Sequence, residues 1–187
     1  MLHANILSHE GYEGADLVRA QEALGLLENV INGGPFQRAV LAFDAFQFDV
    51  FEAAPAGYIR EHRPARTNRE VLDTLLNGMR SAGTDTYMDL HLRLVPGRHG
   101  HVVGEELHGV ITTFREDFEA LSPGERAGHY LHECAHALGF HHSKSHEGDP
   151  GRNCYSVPYA LGNLMVYLTT GRMPFKCDYP FLTALGA

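Results

Sequence analysis

The stretch His132-Glu133-Cys134-Ala135-His136-Ala137-Leu138-Gly139-Phe140-His141-His142 decides how this chain is read. On an α-helix two residues four apart share a face about one turn apart, so the imidazoles of His132 and His136 can reach one ion. This is a zinc-ligand spacing. Glu133 lies about 100° around the helix from His132, beside such an ion rather than on it, where its carboxylate can take a proton from water. Gly139 can end the helix with positive φ, and a chain turning back there delivers His142 as a third nitrogen from another direction. Three protein nitrogens leave the fourth tetrahedral position open, as in a catalytic rather than a structural zinc site. The chain is rich in histidine, 13 in 187 residues. Even at those frequencies the five fixed positions recur by chance in about five of ten thousand such chains, so the pattern is specific.

The residues before the motif support it independently. Ser122-Pro123-Gly124-Glu125 combines a capping serine, a proline in the first turn and a glutamate three residues on, the start signal of a helix. The predicted helix runs to Gly139, about 16 residues, with both histidines in its last two turns.

The pattern His132-Glu133-x-x-His136-x-x-Gly139-x-x-His142 resembles the long zinc signature of the metzincin metallopeptidases, and the filling residues from Ala135 to Ser143 are similar to the matrixin version. Asn163-Leu164-Met165-Val166-Tyr167 resembles the family's methionine turn, with Met-x-Tyr in the form seen in astacins, serralysins and pappalysins. The resemblance covers His132 to Tyr167. It implies an α+β, zincin-type catalytic domain: a mixed twisted sheet, a backing helix, an active-site helix and an irregular C-terminal subdomain. One domain over 1–187 is expected, its N-terminal subdomain about 15–140 and its C-terminal subdomain about 141–187. By resemblance the activity is a zinc endopeptidase, with His132, His136 and His142 on Zn2+, Glu133 as general base, Met165 and Gly139 in support and the Tyr167 hydroxyl on the oxyanion. The substrate would be a protein or peptide bound extended along a sheet edge, His108 to Phe114 or the strand before it. Secretion is also implied by resemblance, although Met1-Leu2-His3-Ala4-Asn5 has neither the basic start nor the apolar run of a signal peptide.

Two rival readings stay open. One is a peptidase using His132, His136 and a downstream acid such as Glu147; Gly139 and His142 argue against it. The other is a catalytically silent zinc-binding module, against which the intact Glu133 argues.

Composition narrows the partners. Fifteen basic against 23 acidic residues give a formal charge of -8, which disfavours nucleic acid and anionic membranes. No apolar run of membrane-spanning length occurs. Of the three cysteines, Cys134 is expected as a small apolar core residue, whereas Cys154 and Cys177 flank the Met165 segment and could close a disulfide across it. That bond would indicate an oxidising compartment.

Elsewhere residues 1–14 read as a loosely held arm. Leu17, Ala20, Leu24, Leu27 and Ile31 form a helical stripe ending at Gly33-Gly34. Residues 36–51 suggest one or two strands, and Thr67-Asn68-Arg69-Glu70 caps a helix ending at Gly83. Met88, Leu90, Leu92 and Leu94 alternate with Tyr87, Asp89, His91 and Arg93 along a strand, with shorter strands at 101–103 and 109–114. After Ser143 the tail is expected to be irregular apart from the methionine turn and a short helix near Phe181-Leu182. His141 lacks the family spacing, His129 is expected at the surface or behind the ligands, and His99 and His101 are expected in an exposed loop.

Overall fold

The computed structural model describes residues 1–43, 46, 65–97, 103–142, 153–173, 179 and 185. Among the described residues five strands and six helices follow in the order β1 (Leu2–Glu10), α1 (Ala15–Ile31), α2 (Gly34–Ala42), α3 (Asn68–Asn77), β2 (Arg80–Ala82), β3 (Asp85–Val95), β4 (Gly104–Leu107), β5 (Val110–Phe114), α4 (Arg115–Ala120), α5 (Pro123–Ala137) and α6 (Val157–Thr170). The fold is α+β around one mixed, open sheet.

The sheet is built on β3. Its alternation puts Met88, Leu90, Leu92 and Leu94 into the core, as expected from a period of two. The polar Asp89 is also buried, but it accepts the Arg80 guanidinium at 2.7 Å. β1 and β5 both run parallel to β3, β2 pairs with it antiparallel, and β4 closes the order β1-β3-β5-β4 as an antiparallel edge.

The N-terminal arm is a strand, which corrects the expectation of a loose segment. Only Leu2 within it is buried, so the local pattern carries little sign of burial. Its register is supplied by β3, more than 80 residues away in sequence. The start of its backbone also bonds to α1: Leu2 N–H donates to the Asn32 side-chain carbonyl (3.0 Å), Asn32 returns an N–H to the Leu2 carbonyl (2.7 Å), and Ala4 N–H donates to Glu28 (3.0 Å).

Three further expectations change. The stretch after Gly33 is the helix α2, begun by Pro35, with Phe36, Ala39 and Val40 buried at helical spacing. The alternation through Phe48 and Val50 lies outside the described residues. α3 ends at Gly78 rather than Gly83, because Gly78 has φ 57° and any Cβ there would stand 2.7 Å from the Tyr87 carbonyl oxygen of β3. The first of the two shorter strands is β4, at 104–107; His99, His101, Glu147, Cys177, Phe181 and Leu182 lie outside the described residues.

The largest correction is α6. The tail was expected to be irregular around a methionine turn, yet Asn163 to Tyr167 are the middle of a helix. Nine of its residues between Val157 and Val166 are buried, so it lacks the one-sided stripe of a surface helix. α6 packs along α5 almost backbone to backbone. A Cβ on Gly128 would stand 2.4 Å from Val166 Cγ2 and 2.8 Å from the Gly162 carbonyl oxygen, and one on Gly162 would stand 2.9 Å from the Gly128 carbonyl oxygen. Among the described residues no helix is long and apolar enough to cross a membrane.

Glycine to alanine inside an exposed helix ordinarily gains about 1 kcal/mol. At Gly128 the overpacking cost of about 1–3 kcal/mol should win. Gly128→Ala is therefore expected to lower the urea midpoint, and an unchanged or raised midpoint would contradict this close approach.

Candidate metal centre

α5 begins where its sequence says it should. Ser122 Oγ accepts the Glu125 N–H (3.3 Å) and the Glu125 carboxylate accepts the Ser122 N–H (2.8 Å), a complete capping box. Its far end is a Schellman turn: Gly139 N–H donates to the His136 carbonyl (2.8 Å) and Phe140 N–H to the Ala135 carbonyl (3.0 Å), with Gly139 at φ 95°. This reversal brings His142 back over the last turn of the helix.

The three imidazoles then converge through the same atom. The Nε2 to Nε2 distances are 3.3 Å for His132–His136, 3.2 Å for His136–His142 and 3.2 Å for His142–His132. These three residues are close enough to bind one metal ion. Nitrogens held about 2.0–2.1 Å from a tetrahedral ion are about 3.3–3.4 Å apart, so the triangle has the size such an ion requires.

Hydrogen bonds behind the rings fix where two of the protons sit. His136 Nδ1 lies 2.8 Å from the Phe140 carbonyl, which can only accept. Ser156 donates its hydroxyl proton to the Asn153 carbonyl (2.8 Å) and so serves as acceptor for His142 Nδ1 at 2.9 Å. Burial, then His142, lowers His136 to about 3, and burial, then His141, lowers His142 to about 4. Burial, then its two partners, also holds His132 well below the ordinary value. As neutral rings protonated on Nδ1, His136 and His142 present bare lone pairs to each other across 3.2 Å. Such an arrangement repels unless a cation lies between them, and outward Nδ1–H bonds of this kind are what orient metal-binding histidines.

Glu133 is one residue from the first imidazole and buried. Burial, followed by the charge of Glu106 in β4, pushes its carboxyl up to about 8, opposed by a hydrogen bond from the Glu106 backbone N–H. Glu106 is itself raised by burial, and its carboxylate accepts the Gly109 N–H. The edge strand β4 thus stands directly beside the acid.

His141 is not in the triangle; its ring centroid is 5.7 Å from that of His136. His129, expected at the surface or behind the ligands, is behind them: only 7% of its side chain is exposed, with Nδ1 3.5 Å from Glu133 Oε1 and Nε2 3.1 Å from Thr113 Oγ1. Cys134 is free and buried, as expected, while Cys154 is disulfide-bonded. Its expected partner, Cys177, is outside the described residues.

Met165 and Tyr167 lie within the helix α6 rather than on a turn. Met165 is fully buried inside α6. Tyr167 is half-buried near the end of the helix where Gly124 of α5 meets Thr169 and Thr170. The aromatic ring at the triangle is Tyr159, eight residues or about 12 Å of helix before Tyr167. It stacks on His142 with centroids 4.6 Å apart and meets His132 edge-on, also at 4.6 Å. Sequence reasoning missed Tyr159 and Ser156, because only the α5–α6 packing brings the start of α6 to the histidines.

No family model, curated protein or solved structure matches this chain.

Removing the acceptor behind His142 should loosen the site without unfolding it. If these nitrogens hold a metal ion, Ser156→Ala is expected to weaken the binding of an added divalent cation about 10- to 100-fold in competition with a chromogenic chelator. An unchanged affinity would mean that Ser156 does not orient the ligand.

Proposed function

We propose that this chain is a zinc-dependent endopeptidase of metzincin-like, zincin-type fold. The observation that carries the reading is the buried triangle of three Nε2 atoms at 3.2–3.3 Å, two of them held as bare lone pairs, with a carboxylic acid on the adjacent residue. His132, His136 and His142 would hold the ion; an all-nitrogen set of neutral imidazoles suits zinc. Zinc in such a site acidifies water and polarises a carbonyl.

The work assigned to the chain is proton handling and alignment. Glu133 is one helix step from His132, so its carboxylate faces the site without being a ligand. It takes a proton from the attacking water and delivers it to the amine nitrogen as the peptide C–N bond breaks. The antiparallel edge strand β4, adjacent to Glu133 through Glu106, offers an extended peptide the main-chain groups that strand addition uses.

The position of His142 in the triangle favours three histidines over the two-histidine alternative. Retention of a buried acid against β4 favours an enzyme over a silent module, since an uncompensated buried carboxyl is costly. Tyr167 is left out of this mechanism because its helix carries it away from the histidines.

Glu133→Gln should retain about one zinc per chain by elemental analysis and lose hydrolysis of an unfolded protein by at least about 10²-fold. Full activity in that variant removes the mechanism, and stoichiometric zinc in a His132, His136, His142 triple alanine variant removes the metal site. Tyr167→Phe should leave kcat within about threefold, below the loss of about 10²-fold for a missing oxyanion donor. A loss of that larger size would restore Tyr167 to the chemistry.

A further inference from the structure

Behind Glu133 lies a buried polar chain that the proposed reaction leaves unused. Thr113 Oγ1 is 3.1 Å from His129 Nε2. His129 Nδ1 in turn faces Glu133 Oε1 at 3.5 Å. Thr113 is completely buried, so water does not compete for its proton.

As the base, Glu133 is a carboxylate, which can only accept, so Nδ1 facing it carries the proton of the ring and the bare Nε2 accepts the Thr113 hydroxyl proton. A neutral imidazole that accepts at Nε2 carries its own proton on Nδ1, the nitrogen turned toward the carboxylate. The ring is also held from the far side, since a Cβ on Gly104 of β4 would stand 2.8 Å from His129 Cε1 and 2.9 Å from Nε2. The gap of 3.5 Å is just longer than a formed N–H···O bond. The broad terminal torsion of a glutamate can close it, and such bonds commonly tighten when a site is loaded.

We propose that His129 is the positioning residue of Glu133, donating Nδ1–H to its carboxylate, and that Thr113, donating to Nε2, fixes the proton on that nitrogen. This rests on Glu133 being the base. The ring aims one oxygen of the acid and leaves the other for the proton it moves. His129 acts through Glu133 and is not itself assigned a step of the reaction.

The test has one arm that does not depend on hydrolysis. In the zinc-loaded protein labelled with 15N-histidine, His129 is expected to show a protonated-type Nδ1 and an unprotonated-type Nε2, its signals assigned by their loss in His129→Leu. Thr113→Val should move that pattern toward the Nε2–H form. In the kinetic arm, His129→Leu should lower kcat about 10- to 100-fold with KM and zinc content unchanged. His129→Asn, whose amide donor stands near the Nδ1 position, should recover most of the loss.

An Nε2–H tautomer in the parent overturns the proposal. So does a His129→Leu kcat within about threefold of the parent at full zinc content, or a loss that asparagine does not recover. If the parent cleaves no unfolded protein, it is the peptidase reading that fails, and the tautomer still decides the role of His129. If His129→Leu does not fold, the tautomer in the parent and its response to Thr113→Val decide.

Discussion

The candidate site depends on how closely other backbone approaches α5. Gly128 and Gly162 let α6 lie against it with almost no side chain between, and Gly104 lets β4 lie directly on the His129 ring. Interiors are packed tightly enough that one methyl group at such a contact has nowhere to go. This approach carries Ser156 and Tyr159 at the start of α6 to the imidazoles, and Glu106 in β4 to Glu133. With side chains of ordinary size at these glycines, the partners of the histidines would stand farther off.

Burial then sets the electrostatics. Neutral rings with their protons turned outward form an electron-rich pocket with no positive side chain described at its centre. Its internal repulsion is the structural counterpart of affinity for a cation under the reading proposed here. The same burial raises Glu133 and lowers His129, keeping both groups neutral over a wide range when the pocket holds no added charge. The bonds that hold the rings, to Phe140 and Ser156, come from the turn after α5 and the start of α6, not from the sheet.

The sheet contributes the acid's surroundings. β5 presents Thr113 to His129, and β4 presents the Glu106 N–H to Glu133. β1, parallel to β3 and bonded to α1 through Asn32 and Glu28, completes the layer against which α1 packs. Tyr12, just after β1, accepts the hydroxyl proton of Tyr130 in α5. Segments far apart in sequence thus meet at one carboxylate.

What the sequence determined by itself is what short-range chemistry determines. The capping box at Ser122, the reversal at Gly139, the spacing of His132, His136 and His142, and the two-residue period of β3 all lie within one or two turns of chain, where propensity and spacing act directly. The tertiary structure decided the rest. β1 was illegible because its pairing partner lies some 80 residues on and only Leu2 is deeply buried. The segment around Met165 was read as a turn by resemblance, although its nearly unbroken apolar run suits a helix enclosed on all sides. Tyr159, Ser156 and His129 acquire their roles only from close packing on α5, a contact set by two helices and a strand edge that no window of sequence contains.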